Sequence, residues 1–149
     1  MTILLLLVGG FLGVILDRLY RRYEQRRAAT EMKEKYGHLA RRYQVLRNGI
    51  TATGGSIELV QNDDGTFRSI ARNPDGTTQW EGQLKMTDTE NVWAGSYRYP
   101  LSTDHGTQIA LYVPELDLLH VLGQNQSTTA HAEFVHDWVP HIHQDHMLT

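Results

Sequence analysis

The period of the hydrophobic positions changes twice along this chain. From Ile3 to Leu16 no charged residue interrupts the run. Ala29, Met32, Tyr36, Leu39, Tyr43 and Leu46 then recur at 3-4-3-4-3 spacing, the seam of a helix packed on something. Beyond Ile50 the pattern becomes alternation. Trp80, Gly82, Leu84 and Met86 share one face of an extended segment, Trp93, Gly95, Tyr97 and Tyr99 share another, and Ile109, Leu111 and Val113 a third. Asn62-Asp63-Asp64-Gly65 and Asn73-Pro74-Asp75-Gly76 carry hairpin turn chemistry, and Asp104-His105-Gly106 marks a further turn. The pattern predicts an α+β chain: an N-terminal single transmembrane helix, a helical stalk, and a small antiparallel β-barrel or meander of about seven strands. The strands are expected near 56–61, 66–72, 78–86, 91–99, 107–113, 117–122 and 131–139. The corresponding divisions are a membrane anchor with basic collar over 1–23, a stalk over 24–48, the β-domain over 49–140 and a His-rich tail over 141–149. A run of about 90 residues holds one core, not two.

Charge sharpens the anchor. The first 48 residues carry ten basic and four acidic side chains, a net +6, while the remaining 101 carry four basic and 13 acidic, a net −9. As a helix, Met1 to Leu16 rises about 24 Å, short of a hydrocarbon core of roughly 30 Å. Tyr20, Tyr23 and snorkelling arginines extend the effective span. No Lys or Arg precedes the run, and no small-x-small site follows it, which favours an uncleaved anchor over a signal peptide. The arginine excess on the C-terminal side places the following domain on the cytoplasmic side of an inner, cytoplasmic-type membrane. Arg18, Arg21, Arg22, Arg26 and Arg27 are suited to anionic lipid headgroups. Gly9 and Gly13 form a small-xxx-small pair suited to close packing of membrane helices, either with another copy or within a larger complex.

Large and small residues alternate within the β-domain, from Trp80-Glu81-Gly82-Gln83-Leu84 through Gly95-Ser96-Tyr97-Arg98-Tyr99. Interior glycines fit the taper of a small barrel. A pocket built on the same residues would use Trp80, Trp93, Tyr97 and Tyr99 as stacking walls, with Arg98 or Arg68 at the rim. A membrane helix, a short stalk and this stretch together resemble the membrane-anchored β-barrel effectors of bacterial cyclic-oligonucleotide (CBASS) antiphage signalling. The resemblance implies a barrel that senses a nucleotide and membrane helices that associate.

Other chemistry is sparse. Six of the eight histidines lie at or beyond position 120, and His141, His143 and His146 could form a three-His metal site. The chain has no cysteine, no HExxH, no GxSxG and no phosphate-binding glycine loop, so no cofactor and no catalytic set is expected. The acidic β-domain is a poor match for a nucleic-acid polymer. The leading expectation is a non-enzymatic accessory subunit of a membrane complex, with other membrane proteins or itself as partner. The alternative is a ligand-sensing effector, its ligand a small molecule such as a cyclic nucleotide, that oligomerises through its helix.

Overall fold

A computed structural model describes residues 2–126 and 131–141, with the side chains of 2–12, 52–54 and 131 left aside. One helix, α1 (Thr2–Tyr36), leads through a 3-10 turn (Gly37–Leu39) into eight strands. These are β1 (Arg42–Arg47), β2 (Ile50–Gln61), β3 (Phe67–Arg72), β4 (Thr78–Met86), β5 (Val92–Arg98), β6 (His105–Val113), β7 (Leu118–Gln126) and β8 (His131–Pro140). Each strand pairs antiparallel with the next, and β8 closes on β1. The result is an up-and-down barrel with no free strand edge.

The helix-plus-antiparallel-barrel class is as expected, with one correction to the stalk and one finding on the anchor. The stalk helix does not reach residue 48. It stops at Tyr36, next to Gly37, and residues 42–47 form an eighth strand that completes the barrel. The 3-4 spacing crossed this boundary because Met32, Tyr36, Leu39 and Tyr43 all enter the same core, first from a helix and then from a strand. The Tyr43 hydroxyl donates to the Leu39 carbonyl at 2.9 Å and fixes the change of direction. Second, among the described residues no helix is long and apolar enough to cross a membrane. Most of the apolar run precedes Gly13, so that part of the anchor expectation lies outside the described side chains.

The end of α1 stoppers one end of the barrel. Tyr36 meets the Trp93 ring edge-on at 4.9 Å between centroids, and Trp93 meets Phe67 at 6.1 Å. Tyr36, Leu39, Tyr43, Trp93 and Trp138 are all buried. Around this plug, Lys33 pairs with Asp63 at 2.9 Å, Lys35 with Glu90, and Gln61 Nε2 donates to the Met32 carbonyl at 3.3 Å. Asp63 and Glu90 sit on the β2–β3 and β4–β5 connections and Gln61 ends β2, so all three mark the same end of the barrel.

Two turns of the form Asn-x-Asp-Gly-Thr repeat the same hydrogen bonds at opposite ends. The Thr66 and Thr77 amides donate to Asp64 and Asp75 at 3.0 and 2.9 Å, and their hydroxyls do so at 2.6 Å. These donors stabilise the carboxylates and hold both aspartates below their ordinary pKa.

Strands β4 and β5 approach closely at Gly95. A Cβ there would lie 2.7 Å from the carbonyl carbon of Gln83 and closer still to its oxygen. At Gly106 a Cβ would overlap the phenol of Tyr97. Glycine thus lets two backbones approach at Gly95 and makes room for an aromatic ring at Gly106.

Candidate functional site at the open barrel mouth

The end of the barrel away from α1 opens into a cavity of about 510 Å³. Its wall is aromatic: Trp80, Tyr97, Tyr99 and Phe134, with Arg47, Asn125, Glu133 and His136 beside them. Alternation along β4, β5 and β8 delivers Trp80, Tyr97 and Phe134 to the interior, and Tyr99 follows directly after β5. Trp80 and Tyr97 lie 5.3 Å apart, Tyr97 and Tyr99 6.0 Å, Tyr97 and Phe134 6.0 Å, and Phe134 stacks on His136 at 4.8 Å. An adjoining cavity of about 290 Å³ shares Arg47, Trp80, Tyr99 and His136 and reaches toward Val45, Ile57 and Ala71.

Three polar atoms around this interior are buried and have no hydrogen-bond partner among the described residues: Tyr97 Oη, Asn125 Oδ1 and Trp138 Nε1. Leaving such groups unpaired costs about 1–3 kcal/mol each. They are two potential donors and one acceptor. Burial, and then the nearby Tyr99, push the Tyr97 hydroxyl up to about 12, so it stays protonated and able to donate.

Arg47 supplies the positive charge. Its guanidinium donates to His136 Nε2 at 3.3 Å and forms no ion pair among the described residues. His136 accepts only if that nitrogen carries no proton. Burial first, then the Arg47 charge, lower its pKa, against an opposing pull from Asp137. A neutral His136 therefore leaves the full charge of Arg47 facing the mouth, with Glu133 the carboxylate on the lining.

This arrangement carries a sign for stability. Below the unfolded histidine pKa of about 6.5, the unfolded chain takes a proton that folded His136 resists. Its contribution is present above that value and is lost as pH falls through the lower folded value. The unfolding midpoint is expected to drop between pH 7.5 and 5.5. His136→Gln should flatten that part of the profile, and an unchanged slope in the variant would refute the assignment.

The residues singled out in the sequence separate in space. Trp80, Tyr97 and Tyr99 meet at the mouth, whereas Trp93 lies at the helix-stoppered end. Arg98 is outside the barrel, its Nη2 2.7 Å from Glu81, and Arg68 lines the same outer groove. Arg18, Arg21, Arg22, Arg26 and Arg27 are exposed on α1. Arg21 pairs with Asp17 at 2.9 Å and Arg27 with Glu31 at 3.0 Å. Gly13 has open space around it, and Gly9 lies outside the described side chains. The His141 amide donates to the Arg42 carbonyl at 3.0 Å, while His143 and His146 lie outside the described residues. Among the described residues no group of three or more His, Cys, Asp or Glu could hold a metal ion.

Sequence reasoning missed Arg47, Asn125, Phe134, His136 and Trp138 as lining or wall residues. Phe134, His136 and Trp138 do alternate within one strand, which was a readable signal. Arg47 was hidden by the helical reading of its segment. No protein-family model, curated protein or solved structure matches the chain.

Proposed function

We propose that this chain is a non-enzymatic, membrane-tethered binding protein whose barrel mouth captures a small, flat, anionic ligand. The observation that carries this reading is the conjunction at the mouth. Stacking rings, unpartnered buried polar atoms and an arginine without a carboxylate partner converge on one cavity. Rings bind planar groups by stacking and Arg binds the negative charge, while Tyr97 and Asn125 offer a donor and an acceptor. Nucleotides, cyclic ones first, combine these features and agree with the resemblance read in the sequence. The tether rests on the apolar run and on the arginines behind it, with the barrel on the cytoplasmic side and the helices free to associate.

Titrating the full-length protein in detergent with cyclic mono- and dinucleotides, followed by tryptophan fluorescence, tests the ligand. Trp80 is at the mouth, so binding should change its emission. Base stacking contributes about 1–3 kcal/mol per base, so Trp80→Ala should weaken binding by roughly tenfold or more. Arg47→Ala should weaken it and reduce its salt dependence. Trp80→Ala binding as tightly as the parent, or no response to any nucleotide, would remove this ligand class.

A further inference from the structure

Tyr97 and Asn125 are brought together by the glycine between them. Tyr97 on β5 pairs with Gly106 on β6, and Gly106 pairs with Asn125 on β7. A Cβ on Gly106 would overlap the Tyr97 hydroxyl, so that hydroxyl fills the space of a side chain at position 106. Directly opposed residues of an antiparallel pair hold their Cβ atoms about 5 Å apart, which sets the phenol oxygen beside the Asn125 amide. Both residues line the mouth cavity, and Tyr97 is only 4% exposed. Tyr97 Oη and Asn125 Oδ1 are both buried without a partner among the described residues, so neither satisfies the other. Apolar side chains of similar size would fill these places and leave no polar atom unpaired. The barrel instead gives up a side chain at position 106 and holds a donor next to an acceptor.

We propose that Tyr97 and Asn125 determine the specificity of the mouth by reading the hydrogen-bonding edge of the ligand's ring, which must present an N–H beside an acceptor. The inference rests on the reading of the mouth as the site of a planar anion. Tyr97 Oη donates to a carbonyl oxygen or unprotonated nitrogen of the ring, and Asn125 Oδ1 accepts from the adjacent N–H. The anionic end of the ligand is turned away from this corner, because Asn125 Oδ1 is an acceptor and Glu133 lies on the same lining. It goes to Arg47. Strand order separates the two functions: the polar pair spans β5 to β7, Arg47 comes from β1, and Phe134 on β8 stands between them. A plain aromatic anion would stack as well but would leave both polar atoms unpaired, and such a site rejects a ligand that lacks the matching groups. Lactam edges, as in guanine and uracil, and amidine edges, as in adenine and cytosine, both carry a donor beside an acceptor.

The probes are the cyclic monophosphates of guanosine, uridine, adenosine and cytidine, together with that of purine riboside. The last keeps the phosphate and a stacking ring but has no N–H on the edge. Each is titrated into the full-length protein in detergent and followed by tryptophan fluorescence. At least one natural base should bind about tenfold or more tighter than the purine analogue. Guanosine and uridine lead if the edge is a lactam, adenosine and cytidine if it is an amidine. Tyr97→Phe and Asn125→Ala should each remove most of that advantage and leave the affinity of the analogue unchanged. Tyr97→Phe keeps the ring over Gly106, so its thermal midpoint should stay level or rise while affinity falls. A merely structural hydroxyl would not give that split. An analogue that binds as tightly as every natural base, or variants that weaken all the probes alike, would overturn this inference and leave a stacking site standing. No binding by any probe would overturn the reading of the mouth and this inference with it.

Discussion

Gly95→Ala is expected to lose most of the stability of the barrel, more than about 3 kcal/mol, although it adds a single methyl group. The added carbon would fall on the Gln83 carbonyl, and the Leu84 Cα lies 3.2 Å away. All of these are backbone atoms of β4, so no rotamer change relieves the clash. The ladder must open or slide. Leu84 pairs with Gly95, and the neighbouring pairs Gln83 with Ser96 and Lys85 with Ala94 hold the register on both sides. A one-residue slip is blocked because it would turn the inward set of whichever strand moves, with Leu84 on β4 or Tyr97 on β5, to the outside. Gly55→Ala is the control, since a Cβ there makes an ordinary 3.4 Å contact. Thermal midpoints of the two variants should differ widely. Similar midpoints would mean that β4 and β5 yield more easily than a closed ladder permits.

Trp93→Ala is the second large effect, expected at about 3–5 kcal/mol for a fully enclosed tryptophan. Its ring is 2% exposed and carries the contact between the barrel interior and Tyr36. The loss therefore extends beyond the cavity it leaves. The last turns of α1 should detach from the barrel, with faster amide exchange over residues 29–36. Tyr36→Ala should act in the same way, and the double variant should lose less than the sum because the two rings meet edge-on. Tyr36→Phe separates packing from polarity. It removes a hydroxyl with no partner among the described residues, so stability should stay level or rise. Exchange over residues 29–36 that is unaffected by Trp93→Ala would show that the helix end is held by the exposed pairs of Lys33 and Lys35 instead. Such exposed pairs are screened by solvent and contribute little, which is why that outcome is not expected.

Much of the barrel was legible from residue order. Period-two alternation places Leu84, Trp93 and Tyr97 inside, and the two Asn-x-Asp-Gly-Thr turns identify hairpins. Ile109 and Leu111 of the third alternating set instead face outward and leave Gly106, Gln108 and Ala110 to line the interior of β6. The mouth was half legible. Trp80, Tyr97 and Tyr99 stand out by type, but Trp93, on the same face of β5 as Tyr97, reaches the other end of the barrel. Position along a strand axis is invisible to a rule that distinguishes only inside from outside. The first strand was illegible for a different reason: Tyr36, Leu39 and Tyr43 fit a helical repeat by coincidence.

Sequence alone determined what is local: the apolar run and its basic collar, the periods of the segments, the turns and the absence of thiol chemistry. These follow from side-chain type and from spacings of a few residues, which backbone geometry converts directly into helix, strand or turn. Tertiary structure decided what depends on closure. Pairing β8 with β1 sets Arg47 against His136, 89 residues apart in the chain, and brings Phe134 beside Tyr97. It also turned the end of α1 into a stopper, which makes one end of the barrel core and the other a mouth. Ring closure places residues by strand order and register together, and those long-range contacts leave no periodic trace in the sequence.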